Sequence, residues 1–437
     1  MDLSTHPFIT TLRQKFDFMG GNITVLSITD LLGNFSRRLV FPYVSLYILA
    51  LGGQAAEIGL VTALAPLAGL IMFPLGGYIA DHANRVKLIV LANLFSAGIV
   101  LMRASAPNWQ VFALAAVLQG VVAVQFPARS ALIADALSPK NRGKGIATMN
   151  TISNTVAVFA PFMAGLVIDR LGPNFGVRIL YAVMMAVQAA SAVVHARFLS
   201  DTSQHAEHHF KLADLPNVLK QAYSGIPQLL RQLPPSLKAL AGVIVFSFMA
   251  NGVASPFWVV YAVAEIGLSA SAWGLILLLE TVVKLVMFIP AGLLVDRWGR
   301  TSSLLVSLLI ALLFIPYFAF VTDFTAALVA RIAISIAFVL AGTAATALMA
   351  DTVPRHMRGR IMSALGQGSI MIGPAGGGTG GPAMGYIITI PLMLSSLAGG
   401  YLYAWNPSYT WFFVGLVTAL SILLVIFFIR DPHTAEV

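Results

Sequence analysis

Gly77-Tyr-Ile-Ala-Asp81-His-Ala-Asn-Arg85 returns in the second half of the chain as Gly292-Leu-Leu-Val-Asp296-Arg-Trp-Gly-Arg300. Each copy closes an apolar stretch long enough to span a bilayer and is followed at once by another, so the motif is a short polar turn between two membrane helices. A second pair keeps the register: Ala131-Leu-Ile-Ala-Asp135 with Arg142-Gly143 matches Ala347-Leu-Met-Ala-Asp351 with Arg358-Gly359. The offset is 215 residues for the first pair and 216 for the second. A repeat of that size makes the chain two related halves and says which positions correspond.

Composition excludes a soluble domain. Of 437 residues, 58% are hydrophobic and 10% charged, whereas a globular surface needs about 25% charged residues. The net charge of +9 does not point to nucleic acid, because the basic residues sit in short turns between apolar segments, the pattern of cytoplasmic loops in a membrane protein. With no cysteine, disulfides, thiol catalysis and cysteine metal sites are excluded. Met1 to Gly21 is mixed polar and amphipathic, so no cleavable signal peptide is expected.

Six membrane helices are predicted at roughly 22–50, 55–80, 86–105, 109–136, 145–168 and 176–199. Six more are predicted at roughly 237–263, 270–296, 301–321, 325–350, 386–404 and 409–429. The expected fold is an all-α polytopic membrane protein with 12 transmembrane helices in two pseudo-equivalent six-helix bundles, residues 22–199 and 237–430. A polar linker (200–236) with Pro216, Pro227, Pro234 and Pro235 joins them, and segments 1–21 and 431–437 flank them. Arg85, Lys87, Lys140, Arg142, Lys144, Arg297, Arg300, Arg355, Arg358 and Arg360 fall on one side with the linker and both termini. The opposite connectors at 51–54, 264–270, 322–324 and 402–409 carry no Lys or Arg, which makes the basic side cytoplasmic. Arg170 and Arg178 are exceptions. The setting expected is the cell membrane, and the state a monomer.

Two six-helix halves, a linker and a Gly-x-x-x-Asp-x-x-x-Arg turn after the second helix of each half resemble the major facilitator superfamily over essentially the whole chain. That family's turn reads Gly-x-x-x-Asp-Arg-x-Gly-Arg-Arg. The second copy keeps Asp296, Arg297, Gly299 and Arg300, while the first has His82 for the basic residue and Asn84 for the glycine. Asn tolerates the left-handed backbone that Gly supplies, so the first turn is expected to keep its shape. Asp81 and Asp296 end helices where a carboxylate can meet the positive end of a neighbouring helix, and the arginines that follow can bind carbonyls or a carboxylate. The resemblance implies that Asp81 closes the cytoplasmic face against the second half and that rocking the halves apart breaks this contact. The gate set expected is Gly77, Asp81, Arg85, Gly292, Asp296, Arg297, Arg300, Asp135, Arg142, Asp351 and Arg358. A purely topological role is the alternative.

Charges inside apolar spans are costly unless they face a cavity or a partner. Asp30, Arg37 and Arg38 lie in the first helix, Arg129 in the fourth, Glu280 and Lys284 in the eighth and Arg331 in the tenth. Asp30 and Arg37 are seven residues apart, nearly one face of a helix. Glu280 and Lys284 have the favourable i, i+4 order for a pair within one helix. These residues are expected to line the substrate and proton pathway; structural ion pairs are the alternative. Arg103, close to a helix end, is expected to snorkel to the surface.

Drug-exporting members of the superfamily carry Arg-x-x-Gln-Gly in the fourth helix. Here Gln119-Gly120 is present but position 116 is Ala, and the basic residue stands at the corresponding place in the tenth helix, Arg331. The exporters' fifth-helix motif survives in part as Ala160-Pro161-Phe-Met-Ala164-Gly165. From Arg142 to Gly165 is 23 residues, whereas from Arg358 to Gly399 is 41, the surplus falling near the glycine-rich stretch from Ile372 to Gly385. Without Lys-Ser or Lys-Thr this is not a nucleotide loop, and a hinge is expected. The linker histidines His205, His208 and His209 are read as a solvated loop and not as a metal site.

The function expected is a secondary transporter resembling the drug:proton antiporter branch, exporting amphipathic small molecules against inward proton flow by alternating access. Asp30 or Glu280 is the expected proton carrier, since a carboxyl group in apolar surroundings can take up a proton near neutral pH. The histidines His82 and His195 are assigned to the cytoplasmic turn and to a helix end. Five basic side chains against two acids make the cavity net basic, so an organic-anion symporter or lipid flippase is the alternative. From another class, a transport-dead sensor or scaffold stays open. The partners expected are a small-molecule substrate, protons and the lipid bilayer. No cofactor, metal ion, nucleic acid or enzymatic activity is expected.

Overall fold

The computed structural model describes residues 20–201, 215–224, 231, 233–353, 370–372 and 386–431. Arg358, the glycine-rich stretch from Gly373 to Gly385 and the linker histidines lie outside the described residues. Helix α1 runs Asn22–Val40, tightens through Phe41–Tyr43 at Pro42, and resumes as Val44–Ala50. Then come α2 (Ala55–His82), α3 (Arg85–Ala104) and α4 (Trp109–Ala136). Arg142–Thr155 and Ala160–Phe198 run on from one another and break at Gly172, whose φ of 77° no helix accepts. Proline follows at 173, and the break divides α5 (142–171) from α6 (173–198). The second half repeats the plan with α7 (Pro235–Ala264), α8 (Ala270–Trp298), α9 (Arg300–Phe320), α10 (Phe324–Thr352), α11 (Tyr386–Trp405) and α12 (Pro407–Phe428).

Ten of these stretches are long and apolar enough to cross a membrane. One of the ten, Arg142–Phe198, is two helices end to end, and α1, which carries Asp30, Arg37 and Arg38, is the twelfth. The chain is a multi-pass membrane protein of two six-helix bundles. Lipid-facing positions hold exposed Leu, Ile and Phe, as at Leu91, Ile289 and Leu313, because hydrocarbon gives no reason to bury them.

A short linker helix, Leu215–Ser224, packs on α2. Pro74 has no N–H to offer the carbonyl of Leu70 four residues back, and the Tyr223 hydroxyl donates to that oxygen instead. The turn that opens α3 departs from expectation. Asn84 has φ −64° and ψ 116°, an extended cap rather than a left-handed residue, and its side chain accepts from Lys87 N at 2.8 Å. In the second copy Gly299 does take the left-handed backbone, with φ 88°. An Asn side chain reaches the free N–H groups of a helix start, so the first copy uses a cap where the second uses a glycine.

Candidate functional site

The halves meet at the end opposite the basic turns. There the Asp169 carboxylate in α5 accepts from the backbone of Ala270 at 2.8 Å and of Ser271 at 3.0 Å, two unpaired N–H groups at the start of α8. The Tyr43 hydroxyl shares its proton between Pro161 O at 2.7 Å and Ala270 O at 3.0 Å. Gly165, kept with Pro161 from the fifth-helix motif, faces Ala270 and Ser271 so closely that a Cβ would strike their backbone. The first half of α2 likewise lies against α11, Gly59 against Gly400.

At the basic end the paired aspartates serve each half separately. Arg85 donates to Asp135 at 2.6 Å and to the carbonyl of Ala80 at 3.2 Å. Arg300 pairs in the same way with Asp351, so the internal repeat extends to its ion pairs. Arg142 donates to Ala134 O at 3.0 Å, holding the turn after α4. Asp81, Asp296 and Arg297 are exposed, and among the described residues neither aspartate has a hydrogen-bond or ion-pair partner. Gly77 and Gly292 sit half-buried one turn before them. The sequence reading missed a further repeat here. Asp201 accepts from Arg85 N at 3.2 Å, and Asp431 accepts from Thr301 N at 2.8 Å, each just past the last helix of its half and each at the start of that half's third helix. The signal was present as Phe198-Leu-Ser-Asp201 and Phe428-Ile-Arg-Asp431.

Within the bundles, Asp30 of α1 pairs with Arg129 of α4, not with Arg37 seven residues along its own helix. Arg38 donates to Asn154 Oδ1 of α5 at 3.0 Å, beside Asn34 on the same oxygen at 3.1 Å. The Arg37 side chain makes no hydrogen bond or ion pair among the described residues, although the charge of Asp30 acts on it. Glu280 does hold Lys284 at 2.9 Å, but it holds Arg331 of α10 as well. Arg331 is fully buried, its guanidinium carbon 4.5 Å from the ring centre of Trp258 and 5.7 Å from that of Trp273, a cation–π seat. Lys284 lies 5.1 Å from the ring centre of Phe338.

Asp30, Arg37, Arg38, Arg129 and Glu280 face two adjoining cavities, whereas Lys284 and Arg331, expected on the same pathway, line neither and stand behind Glu280. A space of about 500 Å³ in the first half is lined by Asp30, Arg37, Arg38, Arg129, Phe41 and Phe126 among others. A second, of about 200 Å³, lies between the halves, with Glu280, Trp258 and Trp273 on its wall. Arg38, Phe41, Ala65, Arg103 and Ala116 line both, so the lobes join at the middle of α1.

One side chain departs from expectation, and a second sits at its expected helix end but buried. Arg103 does not snorkel: it is 6% exposed and turns inward over Phe112, its guanidinium carbon 5.5 Å from the ring centre. The small residues Ala115 and Ala116 on α4 leave the room it fills. His195 is near its helix end but buried, joining three helices of the first half. Asn93 of α3 donates to its Nδ1 at 2.8 Å, leaving the Nε2 proton for Thr29 Oγ1 of α1 at 2.9 Å. Thr29 in turn donates to Val25 O or Leu26 O. His195 also lines the larger cavity.

The sequence profile described as Major Facilitator Superfamily matches residues 26–234 and 240–437. An uncharacterized MFS-type transporter of Methanocaldococcus jannaschii is 22% identical over 417 residues, 93% of this chain and 94% of that protein. The multidrug resistance protein MdtG of Serratia proteamaculans is 26% identical over 295 residues, 65% of this chain and 67% of that protein. Among solved structures, a bacterial homolog of the human lysosomal transporter Spinster, inward-facing and occupied, superposes with a TM-score of 0.66 at 16% identity, covering 93% of this chain and 96% of that one.

Proposed function

We propose that this chain, which belongs to the major facilitator superfamily, is an alternating-access transporter that exports amphipathic small molecules in exchange for protons. The observation that carries this reading is that each half puts one carboxylate on the cavity wall, and each carboxylate is held by a cation from another helix, Asp30 by Arg129 and Glu280 by Arg331, with Lys284 of its own helix also on Glu280. Similarity to a relative named for multidrug resistance supports the substrate class.

The distribution of Lys and Arg supports basic turns that face the cytoplasm, and the reading sets the chain in the cell membrane with both termini inside. The arrangement with the halves joined at the far end is then the one that loads substrate from the cytoplasm. To turn outward, the bundles break the contacts of Asp169 and Tyr43 with α8 and bring Asp81 and Asp296 against the opposite half. A proton added to Asp30 or Glu280 cancels the charge that holds its arginine, and the freed cation becomes available to the solute or to another wall. Substrate and proton thus compete through the same charges. The protein acts as a monomer, since both carboxylates and both lobes come from one chain.

The test is substrate-driven proton movement in proteoliposomes with an imposed pH gradient, comparing the wild type with Asp30→Asn, Glu280→Gln and the double variant. Loss of coupling in at least one single variant and in the double variant is expected. A double variant that still exchanges protons for substrate at the normal ratio overturns the scheme.

A further inference from the structure

We infer that the exported solute is an acidic amphiphile, its anionic group bound by Arg37 and Arg38 and its apolar body in the lobe walled by Trp258 and Trp273. This rests on the reading of the joined cavities as the solute's site.

The argument is one of charge balance. Both cavity carboxylates already hold cations, Asp30 one and Glu280 two. Neither is free to recognise a positively charged solute. Among the described residues three guanidinium groups on the same wall make no ion pair with a carboxylate: Arg37, Arg38 and Arg103. The hydrogen bond of Arg38 goes to the neutral amide of Asn154, and the Nε of Arg103 is buried with no acceptor among the described residues. A cation in a membrane interior without a paired counter-charge is expensive, and lining one cavity with three, of which Arg103 is buried, makes sense where an anion arrives to balance them. Guanidinium forks suit carboxylate, phosphonate and phosphate oxygens.

The geometry also separates head from body. Arg37 lines only the larger lobe, whereas Arg38 and Phe41 stand where the two lobes join. Beyond them the smaller lobe offers Trp258, Trp273, Val259 and Leu277. An acid group between the helix α1 arginines therefore points an attached ring or chain at aromatic and aliphatic walls.

The acid can be a free organic acid or the phosphate of a single-chain lipid, and matched probes distinguish the two. The full chain in neutral detergent is titrated with 4-butylbenzoate and with 4-butylbenzylamine, equal in size and opposite in charge. The acid is expected to bind at least about tenfold more tightly than the amine. The preference should vanish in Arg37→Gln/Arg38→Gln and return in Arg37→Lys/Arg38→Lys, whose thermal midpoints confirm folding. Lysophosphatidate and 4-octylbenzoate then compete for the bound acid. Stronger displacement by the lipid assigns the site to a phosphate headgroup, stronger displacement by the benzoate to a free acid, and either supports the acidic class. Equal or tighter binding of the amine by the wild type overturns the inference. Proton-coupled efflux of amines alone would leave the export reading standing without this one; tight acid binding without proton exchange would do the reverse.

Discussion

Arg331, fully buried in α10, reaches Glu280 in α8, and the two together close the wall between the aromatic pair Trp258 and Trp273. Lys284 takes the other carboxylate oxygen one turn away. One anion thus serves two cations, and neither cation has another acid on the described wall.

Removing Glu280 should therefore hurt more than removing one of its partners. Glu280→Ala leaves two cations uncompensated inside the bundle, a loss of about 3 kcal/mol or more where a buried pair is broken. Glu280→Ala/Arg331→Met, which takes away a charge of each sign, should recover much of that loss. Thermal unfolding in detergent of the two variants checks it: a double variant no more stable than the single one means that Arg331 is not held by this pair.

Asp30 and Arg129 should behave as a unit across helices. Asp30→Asn and Arg129→Gln should each lower transport, and the double variant should cost less than the two effects combined, with a coupling of about 1 kcal/mol. Additive losses in a four-variant transport comparison would place Asp30 under Arg37 instead.

Asp81→Asn and Asp296→Asn should cut transport without lowering thermal stability. Both side chains are exposed in the arrangement described, so no contact among the described residues depends on them, and their proposed work belongs to the state in which the basic end closes. Unchanged transport in both variants would leave them a topological role alone.

Asp169→Asn should tip the balance of states the other way, because the carboxylate that meets the N–H groups of Ala270 and Ser271 joins the halves at the far end. A charge at a helix start is worth about 0.3 to 1 kcal/mol, a few-fold shift in population. The chain has no cysteine, so paired labels can be placed on α5 and α8 at will. A distance distribution between them that is identical in wild type and variant would show that Asp169 does not hold this end closed.

What the amino-acid order determined is what runs along one segment. Apolar length and the basic turns make twelve membrane helices in two halves, and the repeated turn assigns Arg85 and Arg300, Asp135 and Asp351 to matching places, because each signal lies within a single helix or its end. The i, i+4 pair of Glu280 and Lys284 was legible for the same reason. Partners across helices were not. Asp30 meets Arg129, 99 residues away, and Glu280 also takes Arg331; Arg103 turns inward, and His195 bridges Thr29 and Asn93. Helical periodicity sets the direction of a side chain around its own axis. Which neighbour stands in that direction depends on how the helices tilt, break at Gly172 and stack on small residues such as Ala115 and Gly165, and those are properties of the packed bundle.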